Sequence, residues 1–147
     1  MTEVTVENIL IERFKTLDNL TTDKETDLNG NEVITYPEVS FPNEPFERPD
    51  DGYWYELRPT PAKSVDAYLG SEEQVKWIGV LQINICVPKN SGLKPLNSRY
   101  EAIAKLYKRG LIINGIRIIS SDRTSAIDDG DYYVMPVQIV WESNLER

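Results

Sequence analysis

Two pairs of adjacent carboxylates are the residues of this chain whose type and spacing best suit chemistry. Asp50-Asp51 and Asp128-Asp129 each precede a glycine, and paired carboxylates can serve glycoside hydrolysis or bind a divalent cation. The same composition is typical of a turn, because aspartate hydrogen-bonds its own backbone and glycine adopts positive φ. We therefore interpret both runs as turns, and a small carboxylate-dependent hydrolase remains an alternative.

The other reactive side chains give little support for catalysis. The chain has no histidine, which excludes a Ser-His-Asp or Cys-His unit and a histidine-containing zinc site. Its one cysteine, Cys86, lies in a predicted strand and is interpreted as a small packed hydrophobe. The glycines match neither the dinucleotide-binding spacing nor the P-loop spacing. We therefore predict no catalytic residue, no metal site and no cofactor.

The charge balance argues against tight binding of nucleic acid. The formal net charge is −8, from 16 basic and 24 acidic residues, whereas nucleic-acid affinity depends on cations that replace phosphate counterions. The one basic cluster, Lys105, Lys108 and Arg109, suits the C-terminal end of a helix dipole. The longest strongly apolar stretch, residues 78–87, is too short to span a membrane, and no export signal is visible.

Hydrophobic periodicity predicts two helices that would position the rest of the chain. From Val6 to Leu17, apolar residues recur at spacings of four, four and three, which places them on one face. A second apolar stripe predicts a helix over 95–108, with Gly110 as the residue that follows its end.

Strict alternation predicts two long strands, at 75–87 and 132–142. Each has one wholly or mainly nonpolar face and a mixed opposite face, which suggests partial burial by another subunit. Pro136 lacks an amide donor, so the second strand is expected at a sheet edge or with a bulge at that residue.

Shorter β segments complete the pattern. An aromatic strand at 53–58 is expected to end at Pro59 and Pro61. Asn114-Gly115 between β-branched residues predicts a hairpin with a type I′ turn. The order of elements predicts one α+β domain over 1–147, with a mostly antiparallel or mixed sheet and two helices packed on one face.

Residues 21–52 form a compositionally distinct segment. It contains nine acidic residues and only two basic ones, Lys24 and Arg48. Its four prolines interrupt any regular element beyond a short edge strand at 33–36. We interpret the segment as a long acidic arm that runs over the surface; a solvated, partly ordered loop is the alternative.

Five aromatic residues crowd into fifteen positions within or beside this arm. Aromatic side chains dominate the energetics of protein–protein interfaces. An interface role and a role in capping the domain's own core both remain open. These residues are Phe41, Phe46, Tyr53, Trp54 and Tyr55.

The succession of elements resembles the tail terminator family of long-tailed bacteriophages, including its tail-terminator-like minor tail proteins. The resemblance covers 46–141, and its most specific part is the strand and turn from Gly79 to Pro88, followed by the helix that ends near Gly110. The acidic insertion before Pro45 departs from the family pattern.

This resemblance implies a structural virion protein that is not an enzyme and has no cofactor. Family members assemble in the host cytoplasm as a ring, typically a hexamer, that caps the head-proximal end of the tail tube and stops its polymerisation. The implied partners are further copies of the chain, the tail tube protein and a neck or head-completion protein. DNA would pass through the channel without specific binding, and no membrane is involved. Another neck or head-closure protein is an alternative.

A ring subunit needs heterologous contacts, so apolar side chains on a second strand face require complementary patches on a neighbour. Three residues of the aromatic segment join four aliphatic residues of the long strands as expected interface positions. The candidates are Phe41, Phe46, Trp54, Ile78, Val80, Val134 and Val140.

Overall fold

A computed structural model of the chain describes residues 3–18, 20–49, 52–65 and 74–146. Within these ranges the chain forms two helices and nine strands. In chain order they are α1 (Glu3–Phe14), β1 (Asp23–Thr26), β2 (Glu32–Thr35), β3 (Val39–Ser40), β4 (Trp54–Val65), β5 (Gln74–Pro88), α2 (Lys94–Leu106), β6 (Ile112–Ile113), β7 (Ile116–Arg123), β8 (Ile127–Asp129) and β9 (Tyr132–Glu146).

Seven strands form one sheet in the order β3-β4-β5-β9-β7-β6, with β8 also paired to β9. The short β3–β4 pair is parallel, and the remaining pairs of this sheet are antiparallel. Strands β1 and β2 form a separate antiparallel hairpin. The α+β class and the mostly antiparallel sheet are as predicted from the alternating and helical patterns.

The core lies where the nonpolar face of the long strands meets side chains of both helices. Ile83, Ile85 and Val137 are fully buried there, and each large aliphatic side chain so buried stabilises the fold by about 1.5–3 kcal/mol. The helices supply the other part of the same cluster, and its fully or almost fully buried members are Val6, Leu10, Phe14, Leu96, Ile103 and Tyr107.

Two hydrogen bonds join the helices directly. The buried Tyr107 hydroxyl donates to the carbonyl of Leu10 at 2.6 Å, and Arg13 Nε donates to the carbonyl of Leu106 at 2.8 Å. Both bonds satisfy backbone carbonyls, and the second one belongs to the last turn of α2, where no intrahelical partner remains. Helix α2 ends two residues earlier than predicted, and Gly110 lies in the turn that leads to β6.

Of the two alternatives predicted for the strand that contains Pro136, an edge position or a bulge, the edge position is wrong. Strand β9 is central, with β5 on one side and β7 and β8 on the other. Thr124 N donates to the carbonyl of Pro136, so this carbonyl points toward the β7–β8 side of β9. The nitrogen of Pro136 points to the same side, because the N and the C=O of one strand residue share a direction. Strand β7 ends at Arg123 and β8 begins at Ile127, so the missing donor falls where the ladder is interrupted.

The expectation that Pro59 and Pro61 end the aromatic strand is also wrong, since β4 continues through both. The amide of Tyr55 donates to the carbonyl of Glu38 at 2.8 Å, away from β5. By alternation the nitrogen of Pro59 faces the same edge, which β3 does not reach. Pro61 lies in the register irregularity that follows. Neither proline removes a donor that the sheet needs.

The Asn114-Gly115 turn is confirmed. Both residues have positive φ, 48° and 84°, and they connect the paired Ile113 and Ile116. Two consecutive residues with positive φ define the type I′ turn, whose twist matches that of the flanking strands.

The acidic segment divides into two parts with different environments. Strands β1 and β2 are exposed along almost their whole length, whereas Val39 in β3 is only 3% exposed and belongs to the core. The sequence did contain a signal for the hairpin in Asn29-Gly30, which follows an Asp27 side chain that accepts two backbone hydrogen bonds. Only the first part is exposed along almost its whole length, so a surface arm over all of residues 21–52 stays a prediction.

Candidate functional site

The second carboxylate pair ends strand β8 and leads into a tight turn, so the turn lies one residue further along the chain than predicted. Strand β8 ends at Asp129, and Gly130, with φ 64°, begins the two-residue connection to β9. Asp128 is more than half exposed and pairs with Lys89 Nζ at 3.2 Å. Asp50-Asp51 lies outside the described residues. Among the described residues, no group of three or more acidic or cysteine side chains is placed to hold a metal ion.

Cys86 is a buried side chain of the sheet. It is 1% exposed and packs with Trp54 and Tyr132. Burial raises the pKa of the Cys86 thiol from 9.0 to about 12, so the nucleophilic thiolate is disfavoured at neutral pH. This environment agrees with the interpretation of Cys86 as a packed hydrophobe.

The sheet has a second face, opposite the core, that carries most of the predicted interface residues. Val80 and Val140 are cross-strand partners on β5 and β9, and Ile78 lies next along the same face of β5. All three are partly exposed. The structure therefore brings these three candidates together as one aliphatic patch.

A charged cluster borders this patch. Glu142 is the cross-strand partner of Ile78. Its carboxylate oxygens lie 2.8 Å from Lys76 Nζ and 3.3 Å from Arg117 Nη1. The hydrogen bond from Lys76 and the nearby Arg117 hold the pKa of Glu142 below its ordinary value of 4.5. Sequence reasoning missed this cluster, because its three members come from three strands whose order only the fold defines.

A polar row separates the aliphatic patch from the remaining candidate on β9. Gln82 Nε2 donates to Asn84 Oδ1 at 2.9 Å, and Asn84 Nδ2 donates to Glu56 Oε1 at 2.8 Å. Arg58 Nε lies 3.9 Å from the same Glu56 oxygen. These hydrogen bonds satisfy Asn84, which is only 7% exposed.

Val134 lies beyond this row, beside a small aromatic cluster. Trp54 is 8% exposed, and its ring lies 5.1 Å from Phe46 and 5.9 Å from Tyr132 between centroids. The guanidinium of Arg48 lies 4.6 Å from the centroid of Tyr132. Phe46 and Val134 thus both pack against the cluster that contains Trp54. Little of Trp54 is left exposed to a partner.

Phe41 lies on the opposite side of the sheet from Phe46. It packs against the main core and against Tyr36, with 6.0 Å between ring centroids, and the ammonium of Lys15 lies 5.2 Å from its ring. Residues 41–49, called the strap below, therefore cross the β3–β4 edge from the core side to the second face. Tyr132 Oη donates to the carbonyl of Pro49 and holds the far end of the strap.

These contacts correspond to the alternative in which the aromatic residues cap the chain's own core. Tyr55 also packs inward against Phe14, at 5.3 Å between ring centroids, and Tyr53 stacks on the guanidinium of Arg99 at 3.9 Å. An additional role of the partly exposed Phe41 and Phe46 in an interface stays a prediction.

Comparison with known proteins identifies a family. A family model described as phage tail terminator protein matches residues 6–141. No curated protein matches the chain. Fourteen chains of solved structures match; one of them, named only by a sequence identifier, is 16% identical, has a TM-score of 0.61, and aligns over 99% of this chain and 97% of its own length. That likeness shows a shared fold. Neither described helix is long and apolar enough to cross a membrane.

Proposed function

Because this chain belongs to the phage tail terminator family, we propose that it forms a ring on the head-proximal end of the tail tube, where it stops tube polymerisation and joins the tail to the neck. Membership makes the chain a structural component of the phage tail. The ring, the capping of the tube and the docking of a head-completion protein are the parts that we propose.

The observation that carries the proposal is the aliphatic patch of Ile78, Val80 and Val140 on the second face of the sheet. Its three side chains are partly exposed and lie beside the ionic cluster centred on Glu142. An apolar centre with a charged border is the usual anatomy of a protein–protein interface. We place a contact between subunits, or with the tail tube protein, on this patch.

The charge of the chain is compatible with a channel through which DNA passes. A formal net charge of −8 per subunit leaves few cations to replace phosphate counterions, so a ring of this chain would bind passing DNA weakly. The same charge opposes association of subunits until salt or contacts offset the repulsion. No catalytic residue has a part in this function.

The test is the mass of the purified protein, measured across ionic strength, alone and with tail tube protein, together with electron micrographs of the mixtures. Rings and capped tubes of limited length are expected. The variants Val80→Asp and Val140→Asp should lose assembly, because each would bury an unpaired carboxylate in the contact.

Leu93→Asp is the matched control, since Leu93 is 60% exposed in the loop before α2. It should assemble like the unchanged chain. A strict monomer that neither caps nor shortens tubes would overturn the proposed function, and so would virions with tails of normal length made in its absence. Assembly that survives both aspartate variants would remove the patch from the interface.

A further inference from the structure

The β1–β2 hairpin is a two-stranded sheet that no other strand of the described chain covers. An isolated hairpin of this size is marginally stable in water, yet this one exposes aliphatic side chains. Val33 is 41% exposed, Ile34 is 53% exposed, and Leu28 at the turn is fully exposed. Exposed aliphatic residues grouped on one hairpin indicate a surface that another molecule covers.

A groove of about 750 Å³ opens between this hairpin and the strap. Val33, Ile34, Phe41 and Phe46 contribute its apolar lining. Four exposed carboxylates also line it, and they belong to Asp23, Glu25, Glu44 and Glu47.

The cations of the groove do not balance these carboxylates. The groove has two, Lys15 and Arg48. Lys15 pairs with Glu12 at 2.8 Å, and Arg48 lies over the rings of Trp54 and Tyr132. The groove therefore suits a partner that combines positive charge with an aliphatic side chain.

The chain itself carries such a feature at the end of α2. Lys108 and Arg109 are exposed, and neither is in an ion pair among the described residues. Ile112, three residues further on in β6, is 69% exposed. We call residues 108–112 the basic corner. Its positive charge is opposite to that of the groove, and its exposed aliphatic side chain suits the apolar part of the groove lining.

The groove and the basic corner lie at opposite ends of the strand order. Val39 of β3, the first strand of the sheet, lines the groove, and the basic corner leads into β6, the last strand. Four strands separate the two surfaces. Two different, complementary surfaces on one subunit produce a heterologous, head-to-tail contact, which closes into a ring when the rotation between neighbours permits.

We propose that the groove between the β1–β2 hairpin and the strap receives the basic corner of a second copy of this chain. This inference rests on the proposed function, because it names the contact that joins neighbouring subunits of the ring. The acidic hairpin then serves as a docking arm for the adjacent subunit.

Charge-swapped variants test the contact. Variant A carries Lys108→Glu and Arg109→Glu, and variant B carries Glu25→Lys and Glu44→Lys. Each places like charges in the contact, so the dissociation constant for self-association should rise at least about tenfold. An equimolar mixture should assemble again with A and B alternating, because each corner then meets a groove of opposite charge.

Lys89→Glu with Lys94→Glu is the control for net charge, because it changes the charge as variant A does at residues that belong neither to the lining of the groove nor to the basic corner. It should assemble normally. Thermal melting should be nearly unchanged in A and B, since the substituted side chains are exposed.

A second measurement uses cysteine pairs. A chain with Ile34→Cys and Ile112→Cys should form disulfides between copies on mild oxidation, while Ile34→Cys with Leu93→Cys should not. Rings or capped tubes that persist in variant A would overturn this inference and leave the proposed function standing. An unchanged chain that never assembles, alone or with tube protein, would overturn both.

Discussion

Gly79 and Trp141 face each other as cross-strand partners on β5 and β9, and the indole occupies the space that a side chain at position 79 would need. A Cβ added to Gly79 would lie 2.5 Å from Trp141 Cε2 and 2.8 Å from its Nε1. The glycine begins the segment that most specifically resembles the family. Its physical role is to admit the largest fully buried side chain of the core.

Gly79→Ala should therefore destabilise the fold by about 1–3 kcal/mol, because the buried indole has no room to shift. Chemical denaturation measures the loss. In a Trp141→Leu background the same substitution should cost less, since the clashing ring is gone. An equal penalty in both backgrounds would contradict the close approach as its cause.

Trp54→Ala should lower the free energy of unfolding by about 3–5 kcal/mol, because its ring is buried among Phe46, Cys86 and Tyr132. Phe46→Ala should cost clearly less, because this ring is partly exposed. Unfolding and assembly are measured on both variants. If Trp54→Ala left stability unchanged and only weakened assembly, the side chain would act in an interface and not in the core.

Stability should fall at alkaline pH. Burial raises the pKa of Cys86 from 9.0 to about 12 and that of Tyr55 from 10.0 to about 12. At pH values below the pKa of these groups in the unfolded chain, the fold keeps its full stability. As pH rises above that pKa, stability is lost, because the groups ionise in the unfolded chain before they ionise in the folded one. Each group should contribute a slope of about 1.4 kcal/mol per pH unit. Cys86→Ala should flatten the decline between about pH 9 and 10; an unchanged slope would contradict a buried thiol.

Acid should weaken the ionic cluster of the second face. Lys76 and Arg117 hold the pKa of Glu142 below 4.5, so its contribution is present above that value and is lost as pH falls through the lower folded pKa. Glu142→Gln should destabilise the chain by about 1 kcal/mol at neutral pH. The difference from the unchanged chain should shrink in acid, as followed by unfolding at a series of pH values. A difference independent of pH would be inconsistent with ion pairing.

Replacement of residues 24–34 by Gly-Gly should change the free energy of unfolding by no more than about 0.5 kcal/mol. The cross-strand partners Asp23 and Thr35 are close enough for the short link, and the deleted residues are exposed. Val39→Ala, at a core position of the same acidic segment, should cost more and serves as the contrast. A large drop in melting temperature on removal of the hairpin would show that it packs on the domain.

Local patterns were sufficient for much of the fold. The period of the apolar residues placed α1, α2 and the core faces of β5 and β9, because burial of one face imposes that period on the sequence. The turn at Asn114-Gly115 and the glycine turn that follows Asp128-Asp129 followed from the conformational freedom of glycine. These features depend on residues close together in the chain.

Strand order was beyond the reach of local patterns, because partners distant in sequence decide it. The strand that neighbours β9 decides whether Pro136 lies at an edge or opposite a gap in the ladder. The strand that neighbours β4 likewise decides whether Pro59 removes a donor that the sheet needs. The same order carries the strap around the β3–β4 edge and sets the acidic groove and the basic corner at opposite ends of the sheet. Composition and periodicity thus determined the elements and their buried faces, while only the tertiary structure decided which exposed surfaces they present together.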